Sequence, residues 1–244
     1  MAGEGDRSGA AASEVHHGHR SVTGGEARAA VFGASDGLVS NVSLILGVAG
    51  ADVGADIVRV TGLAGLVAGA VSMAAGEWVS MQAQRELLER ELARERRELE
   101  RNPKGEAAEL AALYRSRGLD AESAQAVADA IAADVDVALD VHAREELGVD
   151  PDSLGSPFGA AASSFGAFAV GAVIPLAPWF FASGTAAIVA SMVLAVLAAA
   201  VLGGLLAVYT ARSIIRSALR QVLIAAGAAG ITFLIGAAVG VNVT

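Results

Sequence analysis

Residues 30–50 read Ala-Val-Phe-Gly-Ala-Ser-Asp-Gly-Leu-Val-Ser-Asn-Val-Ser-Leu-Ile-Leu-Gly-Val-Ala-Gly, and the rest of the chain falls into place around them. As a helix rising about 1.5 Å per residue, a run this apolar spans a ~30 Å hydrocarbon core. Asp36 sits inside it. Inserting a carboxylate at that depth costs roughly 2.5–3.5 kcal/mol even on a lenient scale. Such a residue faces a bundle interior or a water-filled path, and marks where an ion or proton travels.

Four more apolar runs follow. With the first, they cover about 29–50, 57–81, 158–181, 185–209 and 219–241. Hydrophobic residues make up 54% of the 244, above the level of an average soluble domain. One buried soluble core does not easily use five such helices, because it would need polar faces to meet water. The expected fold is therefore all-α: an integral membrane protein of five transmembrane helices, with a charged insert between spans 2 and 3.

The positive charges set the orientation. Arg7, Arg20 and Arg28 precede the first span, ten Lys and Arg lie in the insert, and Arg212, Arg216 and Arg220 link spans four and five. Only Arg59, beside Asp52 and Asp56, falls on the other side. The N-terminus and the insert are thus expected in the cytoplasm and the C-terminus on the far side. The insert, residues 85–152, carries 18 Asp and Glu against 10 Lys and Arg, so no basic stripe invites nucleic acid. With no cysteine, disulfides and thiolate metal sites are excluded. The first 25 residues lack the apolar stretch of a cleavable signal peptide.

Four segments are expected. Residues 1–25 form a disordered tail whose His16, His17 and His19 either bind a transition metal or are simply solvated. Residues 26–84 hold spans 1 and 2, residues 85–152 a three-helix cytoplasmic metal-binding domain, and residues 153–244 spans 3–5. In the insert, one helix continues from span 2 up to Asn102-Pro103 and a second runs to Gly118. A third, N-capped by Asp120, runs to Gly148 with an apolar stripe of Leu119, Val127, Ile131, Val135, Leu139 and Leu147. Gly65-x-x-x-Gly69 predicts close packing of span 2 on a neighbour. Pro175 and Pro178 bend or end span 3.

Met73 and Glu77 are four residues apart and face the same way on span 2. A thioether is a soft donor and a carboxylate a hard one, a mixture that Fe²⁺ accepts, and Asp36 on the preceding helix closes the set. Met73 also reads as a gap filler and Glu77 as a hydrogen-bonded structural group. In the insert, Glu91, Glu95 and Glu98 share a helix face, as do Glu106 and Glu109, and as do His142, Glu145 and Glu146. Facing helices can gather such groups around divalent cations. Arginines interleave with them, however, and a solvated, salt-bridged face explains the same pattern.

Gly-Ala-Ser-Asp-Gly-Leu-Val-Ser at 33–40 resembles the first-span signature of the vacuolar iron transporter family. Gly-Leu-Val-Ala-Gly-Ala-Val-Ser-Met-Ala-Ala-Gly-Glu-Trp-Val-Ser at 65–80 is similar to its second-span signature. The likeness runs through the insert and Arg-Glu-Glu-Leu-Gly at 144–148, covering roughly residues 25–242. It implies a homodimer with its path at the dimer interface, moving Fe²⁺ and often Mn²⁺ out of the cytoplasm in exchange for protons. Asp36, Met73 and Glu77 would line the path. Glu95, Glu98, Glu106, Glu109 and Glu146 would be metal ligands of the insert, while Glu91 and Glu145 gain no role. The family often has a Met pair where this chain has His142-Ala143; imidazole also ligates Fe²⁺, Mn²⁺ or Zn²⁺ and adds proton sensitivity. The nodulin-like plant branch lacks the insert, which this chain retains.

The expected function is proton-coupled transport of a divalent metal, without enzymatic activity or a prosthetic group. The expected partners are the ions, protons, membrane lipid and a second copy. A manganese exporter of the same fold is the nearest alternative. A membrane di-iron oxidase would want a Glu-x-x-His on each of two helices, and the insert has one histidine. A metal sensor or store anchored by the spans leaves Asp36 and Glu77 unexplained. The chain has no visible sorting signal, which suggests a prokaryotic plasma membrane, whereas the family name points to a vacuole.

Overall fold

The computed structural model describes residues 25–151 and 155–240, so the histidines of the N-terminal tail lie outside the described residues. The order is α1 Gly25–Gly50, α2 Ala55–Arg101, α3 Pro103–Ser116, α4 Ala121–Ala132, α5 Val135–Glu145, α6 Pro157–Leu176, α7 Gly184–Tyr209 and α8 Ile214–Gly240. A short 3-10 turn, Ala177–Phe180, prolongs α6 beyond Pro175. Helices α1, α2, α6 with its 3-10 turn, α7 and α8 are each long and apolar enough to cross a membrane. The five expected spans are all present.

Helix α1 is the centre of the bundle and packs against α2, α6, α7 and α8. Leu38, Val42 and Leu46 on α1 meet Ala195 and Ala199 of α7 and Ala225 and Ala229 of α8. Small residues set the spacing. A Cβ on Gly37 would lie 2.1 Å from the Phe168 carbonyl oxygen, and one on Gly171 would lie 2.3 Å from that of Ala34. Helices α1 and α6 therefore touch backbone to backbone. On α2, a Cβ at Gly69 would lie 2.2 Å from the Phe168 ring, which bears out the close packing read from Gly65-x-x-x-Gly69. The outer faces of α7 and α8 expose Leu197, Val201, Leu223 and Leu234, side chains that suit lipid.

Three boundaries differ from expectation. Helix α8 begins at Ile214, so Arg216 and Arg220 lie in its first two turns and only Arg212 is in the link. Long arginine stems lie along an apolar helix while their heads reach water, which lets a span carry them at its end. Arg59 lies not in a loop but in the first turns of α2, its guanidinium 2.8 Å from Asp56 Oδ1. The third insert helix is broken in two: Asp134 accepts from the backbone N–H groups of Asp136 (2.9 Å) and Val137 (3.3 Å) and starts α5 afresh. No Gly or Pro marks that break, because a side-chain cap makes it.

The insert also packs differently from the expected stripe. Ala107, Leu110 and Ala111 of α3 close on Ala124 and Ala128 of α4, while Leu119, Val127 and Leu147 are exposed. The facing surfaces are built of alanine, which lets the short helices approach closely. Asn102 caps α3 through Gly105 N–H, and Gly118, at φ +105°, turns the chain between α3 and α4.

Candidate functional site

Two polar sites lie on α2, one in its apolar half and one in its charged half. The first is a groove of about 360 Å³ between α1 and α2, closed at its back by Phe168 of α6. Asp36, Met73 and Glu77, the three residues expected to line a path, all line it. Gly65, Gly69 and Gly76 supply the space, and nothing lies within 4 Å of a Cβ built at Gly76.

The helices run in opposite directions, so their residues mark depth. Glu77 lies towards the insert, next to the start of α1, where Arg28 Nη2 donates to its Oε1 at 2.9 Å. Met73 and Asp36 lie deeper, and Ser40 Oγ donates to Asp36 Oδ1 at 2.7 Å. Leu44, Asn41 and Gly65 form the far end. Asp36 does not face a closed interior: it is exposed on the open flank of the single chain, while the Glu77 side chain is 17% exposed.

The second site joins the charged half of α2 to α5. His142 is 1% exposed; its Nδ1 lies 3.0 Å from Glu95 Oε1 and 3.2 Å from Glu146 Oε1. One ligand atom from each of the three residues can be chosen so that all lie within 4.8 Å of one another. The His142–Glu95 contact is off the line that an N–H donor needs, leaving both atoms buried without a directed hydrogen bond. Two carboxylates and an imidazole converging in this way form a donor set for a divalent transition metal.

Of the other expected ligands, Glu98 accepts from Arg94 Nε at 3.1 Å, while Glu106 and Glu109 stand on α3. These three are not part of the close triad, though Glu98 and Glu106 lie near enough to act on it. Glu145 is paired with Arg117, as the salt-bridge reading expects. Burial raises the Glu95 carboxyl above its ordinary value; His142 opposes this, and Glu146 and Glu98 add to it. Glu106 is raised in the same direction, first by burial and then by Glu109, Glu95 and Glu98.

The folded chain thus binds protons at Glu106 more tightly than the unfolded one. Glu106 therefore contributes stability at low pH that is lost as pH rises from 4.5, the ordinary value, through the raised one. In metal-free protein, Glu106→Gln is expected to melt above wild type at pH 7–8, and the gap is expected to close in acid. Melting curves of both chains across pH check this; a gap independent of pH would rule out the carboxylate as its source.

Sequence reasoning missed two residues. Arg28 counted only as an orienting charge; the signal for its pairing is its place at the start of span 1, which a hairpin of spans 1 and 2 brings beside Glu77 at the end of span 2. Asn41, 2% exposed, is a polar residue in the same apolar run as Asp36.

Fold and site together define a polytopic, all-helical membrane protein with a carboxylate- and thioether-lined groove and an acidic helical insert. A sequence profile of the VIT family matches residues 27–237. The chain belongs to this family. It is 42% identical over 160 residues to a vacuolar iron transporter of Acanthamoeba castellanii, a match covering 65% of this chain and 58% of that protein. To vacuolar iron transporter 1 of Eucalyptus grandis it is 33% identical over 89% of this chain and 88% of the relative. The corresponding Arabidopsis thaliana protein is 32% identical over the same shares. An amoeba and two plants give no support to the prokaryotic plasma membrane expected from the sequence.

Proposed function

We propose that this protein transports a divalent metal ion, Fe²⁺ first and Mn²⁺ as the nearest alternative, out of the cytoplasm in exchange for protons. The observation that carries the reading is the convergence of Asp36, Met73 and Glu77 on one groove in the membrane-spanning part. The relatives named as iron transporters supply the metal. The arginine distribution, with sixteen of the 17 basic residues on one side of a five-span chain, supports a cytoplasmic insert.

The hypothesised cycle has three stages. Glu95, His142 and Glu146 capture the ion, with Glu98, Glu106 and Glu109 concentrating it by their charge. The ion then enters at Glu77, where it must displace the Arg28 guanidinium, and passes to Asp36 and Met73. Protonation of a path carboxylate from the far side releases it, since a neutral carboxyl no longer holds a cation. An open-flanked Asp36 in lipid is costly for a single chain. A second copy facing the groove would cover it, which supports a homodimer with the path at its interface.

Flux into proteoliposomes tests the reading. Fe²⁺ uptake is expected to follow an imposed pH gradient and to stop when a protonophore collapses it. Uptake indifferent to the gradient would remove the proton coupling. Metal binding without uptake would move the function to the insert and leave the spans as an anchor.

A further inference from the structure

At the far end of the groove the donors change character. Beyond Asp36 on α1 the polar side chains are Ser40, whose hydroxyl is spent on Asp36, and Asn41, with Leu44 and Gly65 beside it. Its Nδ2 donates to the Ala172 carbonyl oxygen of α6 at 2.7 Å, which fixes the amide's orientation. The opposite atom, Oδ1, is turned towards α2, is buried, and has no hydrogen-bond partner. A Cβ on Gly65 would lie 3.0 Å from this oxygen and 2.4 Å from Leu44 Cδ2. The space in front of Oδ1 therefore exists because residue 65 has no side chain.

A buried carbonyl oxygen left unpaired is destabilising, and native proteins rarely keep one without a use. Ser43, Ser164 and Trp179 also hold unpaired polar atoms, but none of them lines the groove. Asn41 does, five residues and about 7.5 Å along α1 from Asp36.

We propose that Asn41 Oδ1 is a neutral oxygen ligand for the passing divalent ion, taking it from Asp36 on the way to the far side. This rests on the transporter reading given above. A carboxylate holds a divalent ion by charge, and an ion held only by charges leaves slowly. An uncharged carbonyl offers a site favourable enough to enter and weak enough to leave. Carbonyl oxygen is a hard donor, suited to Mn²⁺ and disfavouring ions that prefer nitrogen or sulfur. Asn41 therefore sets release rate and selectivity rather than capture. Leu44 covers the opening, and its side chain must turn aside for the ion to arrive.

The test measures uptake of Fe²⁺, Mn²⁺ and Zn²⁺ by the full chain in proteoliposomes, for wild type, Asn41→Leu and Gly65→Ala. Asn41→Leu keeps the volume and removes the oxygen; Gly65→Ala keeps Asn41 and its bond to Ala172 but puts a methyl before Oδ1. Both are expected to lower kcat for Mn²⁺ about tenfold with KM nearly unchanged, and to lower the Mn²⁺/Zn²⁺ uptake ratio. If Asn41 only ties α1 to α6, Asn41→Leu lowers the melting temperature while Gly65→Ala leaves kcat and the ion ratio at wild-type values; that overturns the proposal. Should Asn41→Leu fail to fold, Gly65→Ala decides alone. A wild-type chain that moves no ion overturns the transporter reading and this inference together, whereas wild-type flux with unaltered variants overturns this inference only.

Discussion

Asp36→Ala is expected to reduce gradient-driven Fe²⁺ uptake to the level of protein-free vesicles while leaving the protein folded. The side chain is exposed on the flank of the single chain and its contact within the protomer is the Ser40 hydroxyl, so its removal opens no cavity in the core. Alanine is also the best helix former. The stability change is therefore small, within the range of surface substitutions, about 0.5 kcal/mol. The change in the path is large. Without Asp36 the ion must pass between Glu77 and the far end with only a thioether and hydroxyls to replace its water shell. Size-exclusion profile and melting temperature report the fold, and tracer flux reports the path. Normal flux in a correctly assembled variant would remove Asp36 from the mechanism.

The second large effect is expected at the insert. His142→Ala should weaken Fe²⁺ or Mn²⁺ binding to the full chain by about 100-fold or more, since even outer-shell partners of a metal contribute 10–100-fold. His142 is fully buried, so its truncation also leaves a void and strands Glu95. Glu146→Gln separates these causes, because Glu146 is on the surface at the end of α5 and its loss should weaken binding without altering the melting temperature. Titration calorimetry in detergent reads both. At saturating metal, uptake by Glu146→Gln should approach the wild-type rate with a raised KM, since capture and passage are separate. Wild-type affinity in both variants would reduce the cluster to a salt-bridged surface.

Much of this architecture is legible in residue order, for physical reasons. Spans declare themselves because a hydrocarbon layer demands some twenty apolar residues in a row, and Asp36 and Glu77 stand out against that background. Their common groove follows from one helix hairpin with glycines on its inner face. What stays hidden depends on side-chain geometry. The break at Asp134 is made by a cap whose residue type is equally at home on a helix surface. Arg28 and Glu77 are 49 residues apart, and no local pattern pairs them. Among the insert's glutamates, spacing makes Glu95, Glu98 and Glu145 look alike, yet Glu95 meets His142 while the other two meet arginines.

The unbroken course of α2 has a mechanical consequence. Its 47 residues make a rod about 70 Å long. Glu77 and Glu95 stand on it 18 residues apart, about 27 Å, with no Pro between them to act as a joint. A lever of that stiffness cannot move at one end alone: a ten-degree rock of the half beside α1 swings the tip at Arg101 by about 6 Å. Helix α5 packs on α2 beside Glu95, so the same rock carries the triad with it as one body. The rod therefore holds the triad and the groove at a fixed distance from each other.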